Sequence, residues 1–393
     1  MNKYLLSDDT WNIKELEAIN RVIKSNRYTM GKEVEEYEKE FSKKFGSKYS
    51  VMSNSGSSAN LLAIAALVYS KKIKAGDEVI VPAVSWSTTY FPLSQHNLKL
   101  KFVDIDKNTL NISIESLKRA ITDKTKVIFA VNLLGNSNDY SEIIKICKEK
   151  DIILLEDNCE AMGADYKDKK LGTIGLMGTY STFYSHHLCT MEGGVTVTDD
   201  EEMYHYLLAI RAHGWTRNIP EGSKIYSKKE DEFYESFNFI MPGYNLRPLE
   251  MEAAIGREQL KKLDEIINQR QNNARYFKEK IDQFDGIRIQ KEIGNSSWFG
   301  FAMILEGNLK GKRNEIVKIF REKGIEVRPI VAGNFTRNKA IEYLDYEIFE
   351  ELNNANEIHE NGFFVGNHSK ENKECVDYLI DAIKEFVDKN EER

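Results

Sequence analysis

The sequence predicts an α/β fold, in which a large domain built on a mixed, mostly parallel sheet is followed by a smaller α+β domain. Three observations predict it. Short apolar runs at 78–81, 101–104, 126–131 and 151–156 end at polar or glycine positions, the pattern of strands buried on both faces. Helical patterns at 116–121 and 140–150 lie between such runs, as the crossovers of a parallel sheet require. The length of 393 residues exceeds one small module and suits two domains.

The elements follow in order. Residues 11–45 are charged, with apolar residues at helical spacing, and a turn at Thr29-Met30-Gly31 interrupts them. From Tyr49 the texture changes to the alternation just described. A helical pattern from about Leu249 runs through Gln259 and Arg270 to Ile281 and reads as a connecting helix. Strand-like segments at 297–305 and 324–329, with two more helical segments, complete the chain. The expected division is 1–250 for an N-terminal arm and large domain, and 251–393 for the small domain.

Composition narrows the function. An apolar fraction of 41% supports a sizeable core, and a net charge of −7 with interspersed signs argues against a nucleic-acid surface. Cys147, Cys159, Cys189 and Cys375 form no C-x-x-C pair, so neither a metal site nor a disulfide framework is expected. The opening MNKYLLSDDTWNIKEL lacks the apolar stretch of a signal peptide, and the longest apolar run, 61–69, is too short to span a bilayer. The expectation is a cytoplasmic protein that engages no membrane.

Three strings carry chemistry. Asn54-Ser-Gly56-Ser57-Ser-Ala-Asn60 precedes an apolar helix; small hydroxyl residues and glycine there present N–H groups to an anion, although an ordinary N-cap reads equally well. Glu156-Asp157-Asn158-Cys159-Glu160 follows an apolar strand, where ligands bind in open α/β sheets. A carboxylate there can pair with a protonated pyridine nitrogen; a plain strand-end acid is the alternative. The third runs Ser181-Thr-Phe-Tyr-Ser-His186-His187-Leu-Cys-Thr-Met-Glu192-Gly-Gly. Adjacent side chains diverge and no H-x-x-x-H partner follows, which disfavours zinc, while two satisfied structural histidines remain an open reading.

The ordered set NSGSSANL, VPAVSW, FVDID, EDNCEAMGA, STFYSHHLCTMEGG and GYNLRPLEMEAAIG resembles the sugar aminotransferase family of fold-type-I pyridoxal phosphate (PLP) enzymes, over nearly the whole chain. The resemblance implies that Gly56, Ser57 and Ser181 hold the cofactor phosphate. It places Trp86 on the pyridine ring, Asp157 at the ring nitrogen and Glu160 near the ring hydroxyl or reacting edge. Asn245 reaches the phosphate across a homodimer interface, so that active sites are shared. In that family the position six before the Glu of Glu-Gly-Gly is the lysine that tethers the cofactor, and here it is His186.

An imidazole cannot form that link, but it can move protons near neutral pH. The change resembles the sugar 3-dehydratase branch, which makes 3,6-dideoxysugars of the colitose type for lipopolysaccharide O-antigens. That branch implies PLP and its amine form, pyridoxamine phosphate (PMP), with L-glutamate as amino donor. A nucleotide-linked 4-keto-6-deoxyhexose loses its C3 hydroxyl, with His186 as acid–base group, and ammonia is released. The GDP-4-keto-6-deoxy-D-mannose type fits better than the CDP-4-keto-6-deoxyglucose type, because the latter needs clustered cysteines for an iron–sulfur centre, and Glu160 follows the former's pattern. A plain sugar aminotransferase using another lysine, such as Lys170, and a non-catalytic binding protein are the rivals. For the sugar nucleotide, Arg211, Arg217, Arg247, Arg328 and Arg337 are candidates; Arg247 and Arg328, beside family-like motifs, are favoured.

Overall fold

The computed structural model describes residues 4–391. Nine strands precede the long helix: β1 (Tyr49–Ser53), β2 (Glu78–Pro82), β3 (Lys99–Val103), β4 (Thr125–Val131), β5 (Ile153–Asp157), the short hairpin β6 (Asp165–Tyr166) and β7 (Lys169–Lys170), β8 (Met177–Ser181) and β9 (Gly194–Thr198). After it come β10 (Ile287–Ile289), β11 (Gly300–Leu305), β12 (Val327–Arg328), β13 (Tyr346–Ile348) and β14 (Gly362–Gly366).

The large sheet runs β1-β9-β8-β5-β4-β2-β3-β13. Every adjacent pair from β8 to β13 is parallel, and β9 alone is reversed, antiparallel to both β1 and β8. The sheet is therefore mixed and mostly parallel, as the continuous apolar runs lead one to expect. Its central strands are buried along their whole length at β2, β8 and β9, because helices cover both faces. The second sheet, β10-β11-β14-β12, is antiparallel throughout.

Two features position the site. The helix Gly56–Tyr69 starts where Ser55 caps it, its side chain accepting from Ser58 N, and nine of its residues are buried. Such an all-round apolar helix must lie inside the protein. The long helix Glu250–Ile281 follows the sequence pattern closely. Near its start the Glu250 carboxylate accepts from Gly31 N (2.6 Å), Glu33 N (2.9 Å) and Val34 N (3.0 Å). Those are orphan donors at the start of the helix Lys32–Phe45, so the Thr29-Met30-Gly31 turn is pinned by an acid far along the chain.

The chain crosses between the sheets at both ends. Strand β13, late in the sequence, pairs with β3 of the large sheet, while Tyr4 donates to Gly366 O beside the small sheet at 2.8 Å. No helix among the described residues is long and apolar enough to cross a membrane.

Candidate active site

A cavity of about 380 Å³ opens beyond the carboxyl ends of β2, β4, β5 and β8, the place where open α/β sheets bind ligands. Gly56, Ser57, Trp86, Asp157, Glu160, Ser181 and His186 all line it. Seven of the eight residues named in the sequence for cofactor or catalysis are thus brought together from four separate segments.

One wall is the start of the helix Gly56–Tyr69. Gly56 and Ser57 are its first two residues, whose N–H groups have no intrahelical acceptor. Ser57 is exposed and its hydroxyl donates to Thr88 Oγ1 at 3.0 Å. Glycine is required at 56 by close packing, since a β-carbon would lie 2.6 Å from Ser181 Cβ and 2.9 Å from Cys159 Sγ. The next wall is built the same way: a β-carbon on Gly194 would lie 2.2 Å from Ser55 O. The backbone is drawn in on both sides, leaving a cradle of N–H and hydroxyl donors for an anion.

The floor is Asp157, at the end of β5 and 5% exposed. Its Oδ2 accepts from Asn60 Nδ2 (2.9 Å) and Thr89 Oγ1 (2.8 Å), and its Oδ1 accepts from Cys159 N (3.1 Å). Thr179 in turn donates to Asn60 Oδ1 at 2.6 Å. A carboxylate so bonded is fixed in direction. Beside it, Glu160 Oε2 accepts from Leu134 N at 3.0 Å. Burial, reinforced by the Asp157 charge, pushes the Glu160 carboxyl up to about 7. Trp86, at the start of the helix Ser87–Gln95, is 59% exposed and offers its ring at the mouth.

His186 sits on the loop from β8 to β9. The loop is a laced hairpin: Thr182 N donates to Gly193 O, Thr190 N to Thr182 O, Tyr184 N to Met191 O and His186 N to Phe183 O, each at 2.9 Å. Gly193 has φ of +152°, and a β-carbon there would strike the Thr182 and Thr190 hydroxyls, which accounts for the first glycine of Glu-Gly-Gly. The His186 residue is half-buried, but its Nδ1 is enclosed and has no partner. Burial, followed by the Arg270 charge, pulls its imidazole down to about 4. His187 is fully buried, its Nε2 paired with Ser297 O at 3.1 Å. His186 therefore faces the cavity and His187 is structural. At neutral pH His186 is uncharged and able to accept a proton.

The other named residues lie elsewhere. Asn245 is exposed and accepts from Arg247 Nε at 2.9 Å, and neither lines the cavity. Arg328 is exposed on β12, donating to Val327 O at 3.2 Å. Arg211 is buried, held by Glu38 and by Met52 O at 2.8 Å, which makes it a packing cation instead of a ligand group. Arg217 stacks on Trp215 at 4.3 Å, and Arg337 pairs with Glu360 at 2.9 Å. Lys170 bonds Gly163 O at 3.4 Å and lines a different, smaller cavity.

Sequence reasoning missed Asn60, Thr89, Phe299 and Val331. Asn60 was within reach, because it lies one helical turn after Gly56 and so on the same face. Phe299 and Val331 line the cavity from beside β11 and β12, and no local pattern marks them.

Comparison with known proteins identifies relatives of the whole chain. The model of the DegT/DnrJ/EryC1/StrS aminotransferase family matches residues 10–384. The chain is 58% identical over 388 residues to GDP-4-keto-6-deoxy-D-mannose 3-dehydratase of Yersinia pseudotuberculosis, covering 98% of this chain and 99% of the relative. The solved structure of the E. coli enzyme of that name with bound hydrated PLP superimposes with a TM-score of 0.95 at 55% identity, covering 97% of this chain and 99% of that one. A structure of an enzyme of that name with a trapped PLP-glutamate geminal diamine matches equally, at a TM-score of 0.95 and 55% identity, over 97% of this chain and all of that one.

Proposed function

This chain belongs to the DegT/DnrJ/EryC1/StrS aminotransferase family, and from its site we propose that it is a PLP/PMP-dependent 3-dehydratase acting on GDP-4-keto-6-deoxy-D-mannose. One observation carries the reading: a cavity with a donor cradle, a fixed carboxylate and an aromatic face presents His186, and no lysine lines it.

The residues fit the cofactor. The cradle closed by Gly56 and Ser181 suits a phosphate, and Asp157 suits a protonated ring nitrogen. When bound, PMP supplies the amine that condenses with the 4-keto group and a ring that takes up electrons. Gly56 N–H, Ser57 and Ser181 would hold the phosphate, and Asp157 would keep the ring nitrogen protonated. Trp86 would cover the ring. Glu160, held by Leu134 N, carries or yields a proton at the cavity edge near neutral pH. His186 would take the proton given up by the cofactor-bound substrate and deliver it to the C3 oxygen, which leaves as water. With L-glutamate as amino donor, the expected products are 2-oxoglutarate, ammonia and the 3-deoxy ketone. A lysine at 186 would recapture the cofactor covalently; an imidazole lets the product go.

We infer also a homodimer with shared sites, in a cytoplasmic enzyme of 3,6-dideoxysugar synthesis. The support is the exposed Asn245–Arg247 pair and the exposed Trp86, Phe183, Tyr184 and Met191 beside the cavity, an apolar rim that suits a protein contact. The test is an assay with PLP, glutamate and GDP-4-keto-6-deoxy-D-mannose. Release of ammonia with a sugar lighter by one oxygen supports the reading, and a stable amino sugar without ammonia overturns it.

A further inference from the structure

Arg270, on the long helix, is buried and has no carboxylate within ion-pair distance among the described residues. The charge of Asp8 acts on it only from beyond that distance, and a buried cation so placed is costly unless hydrogen bonds compensate it. Here its Nη1 donates to Phe299 O at 3.1 Å and to Trp298 O at 3.5 Å. Asn367 completes the clasp, its Nδ2 donating to Arg270 O (3.0 Å) and Trp298 O (2.9 Å). The clasped segment is strained, with Trp298 at φ +47°. It is also tied across to the large sheet, Ser297 N donating to Gly135 O at 3.1 Å and Phe299 N to Leu134 O at 3.0 Å.

That segment is what the two histidines rest on. The Phe299 ring lies 5.1 Å from the His186 imidazole at 51° and 5.6 Å from that of His187 at 57°. Ser297 O bonds His187 Nε2 at 3.1 Å. Resting on the reading of His186 as the acid–base group, we propose that Arg270 is a positioning residue for it. By gripping the 298–299 carbonyls it seats the Phe299 ring against His186, and its charge opposes protonation of both imidazoles, adding to the larger effect of burial.

The charges around His186 bear this out. The β5 end brings Asp157, Cys159 and Glu160 to the cavity, and the histidine loop brings Glu192 and His187. The long helix brings Arg270, the N-terminal segment brings Asp8, whose charge acts on Arg270, and segment 297–299 carries no charged side chain. Burial pulls the Arg270 guanidinium down only to about 10, so it stays protonated at neutral pH. It depresses both His186 and His187, after burial itself.

The test is R270M against R270K in the full-length enzyme with PMP. R270M removes the charge at similar volume. The acidic limb of its kcat/KM profile, which reports the free enzyme, moves up toward the ordinary histidine value of ~6.5. Its kcat falls by roughly 10- to 100-fold as the imidazole loses its seat, while KM for the sugar nucleotide changes little. R270K keeps the limb low and loses kcat only. A limb unmoved in a folded R270M overturns the proposal, whatever the loss of kcat. If R270M does not fold, NMR titration of the His186 ring in R270Q against wild type decides, the ring assigned by its loss in H186N. A higher midpoint in R270Q supports the proposal, and an equal one overturns it. That titration needs no turnover, so it stands apart from failure of the dehydratase reading.

Discussion

Asn60 donates its amide to Asp157 Oδ2 at 2.9 Å, and it does so from the helix whose first residues are Gly56 and Ser57. A single rigid helix therefore sets both the anion cradle and the direction of the buried carboxylate. The spacing between them is fixed by helical rise, about 1.5 Å per residue, and cannot drift with loop motion.

Asp157→Asn tests the carboxylate. The amide preserves size but replaces an acceptor that already receives two donors at Oδ2. Turnover should fall by at least on the order of 100-fold, with the thermal midpoint little changed. Asn60→Ala should reproduce part of that loss, about 10-fold, by releasing the carboxylate. Steady-state kinetics at saturating PMP measures both, and unchanged turnover in D157N would remove the ring-nitrogen role.

His186→Ala should keep cofactor affinity and lose sugar turnover by roughly 100- to 10,000-fold. Spectroscopic titration with PMP gives the first quantity and product mass the second. Retained turnover would assign the proton transfer elsewhere, with Glu160 the nearest candidate on the floor.

Gly56→Ala should weaken cofactor binding and folding together. The new methyl group would sit 2.6 Å from Ser181 Cβ, an overpacking worth about 1–3 kcal/mol. Ser57→Ala, which only removes a hydroxyl at an exposed position, should weaken phosphate binding without lowering the melting temperature. Equal melting temperatures for wild type and G56A would show that the cradle yields.

Stability should respond to pH through two opposed groups. Glu160 is raised to about 7 in the fold, so its contribution is full below the unfolded carboxylate value near ~4.3 and is lost as pH rises through about 7. His186 is lowered to about 4, so its contribution is present above ~6.5 and is lost as pH falls toward 4. Between those limits the slopes partly cancel. E160Q removes the first, so melting curves from pH 4.5 to 8 should show it gaining on wild type as pH rises. A constant difference across that range would place the Glu160 titration outside the window.

Much of the molecule was written in the sequence because the signals are local. Apolar runs marked β2, β4 and β5, and the helical period marked Glu250–Ile281 nearly to the residue. The cradle, the strand-end carboxylate and the His186 substitution were each contained in one short string. Local order does not report what a distant segment delivers. Nothing near Phe299 or Val331 indicates that they line the cavity, nor does any pattern set Arg270 behind the histidines. The arginines mislead for the same reason: Arg211 reads as a ligand group until Glu38, far earlier in the chain, is seen to hold it.

What the sequence by itself determined was the chemistry available: small hydroxyl residues and glycine at a helix start, an acid at a strand end, and a histidine six before Glu192. What only the tertiary structure decided was which histidine faces the cavity and why it is neutral. Those two side chains are adjacent in the chain and chemically identical. They differ because Ser297 O captures one ring and leaves the other to the cavity. Burial of the ring, followed by the charge of a buried guanidinium, sets the proton balance, and desolvation is a property of the packed interior that no stretch of sequence carries.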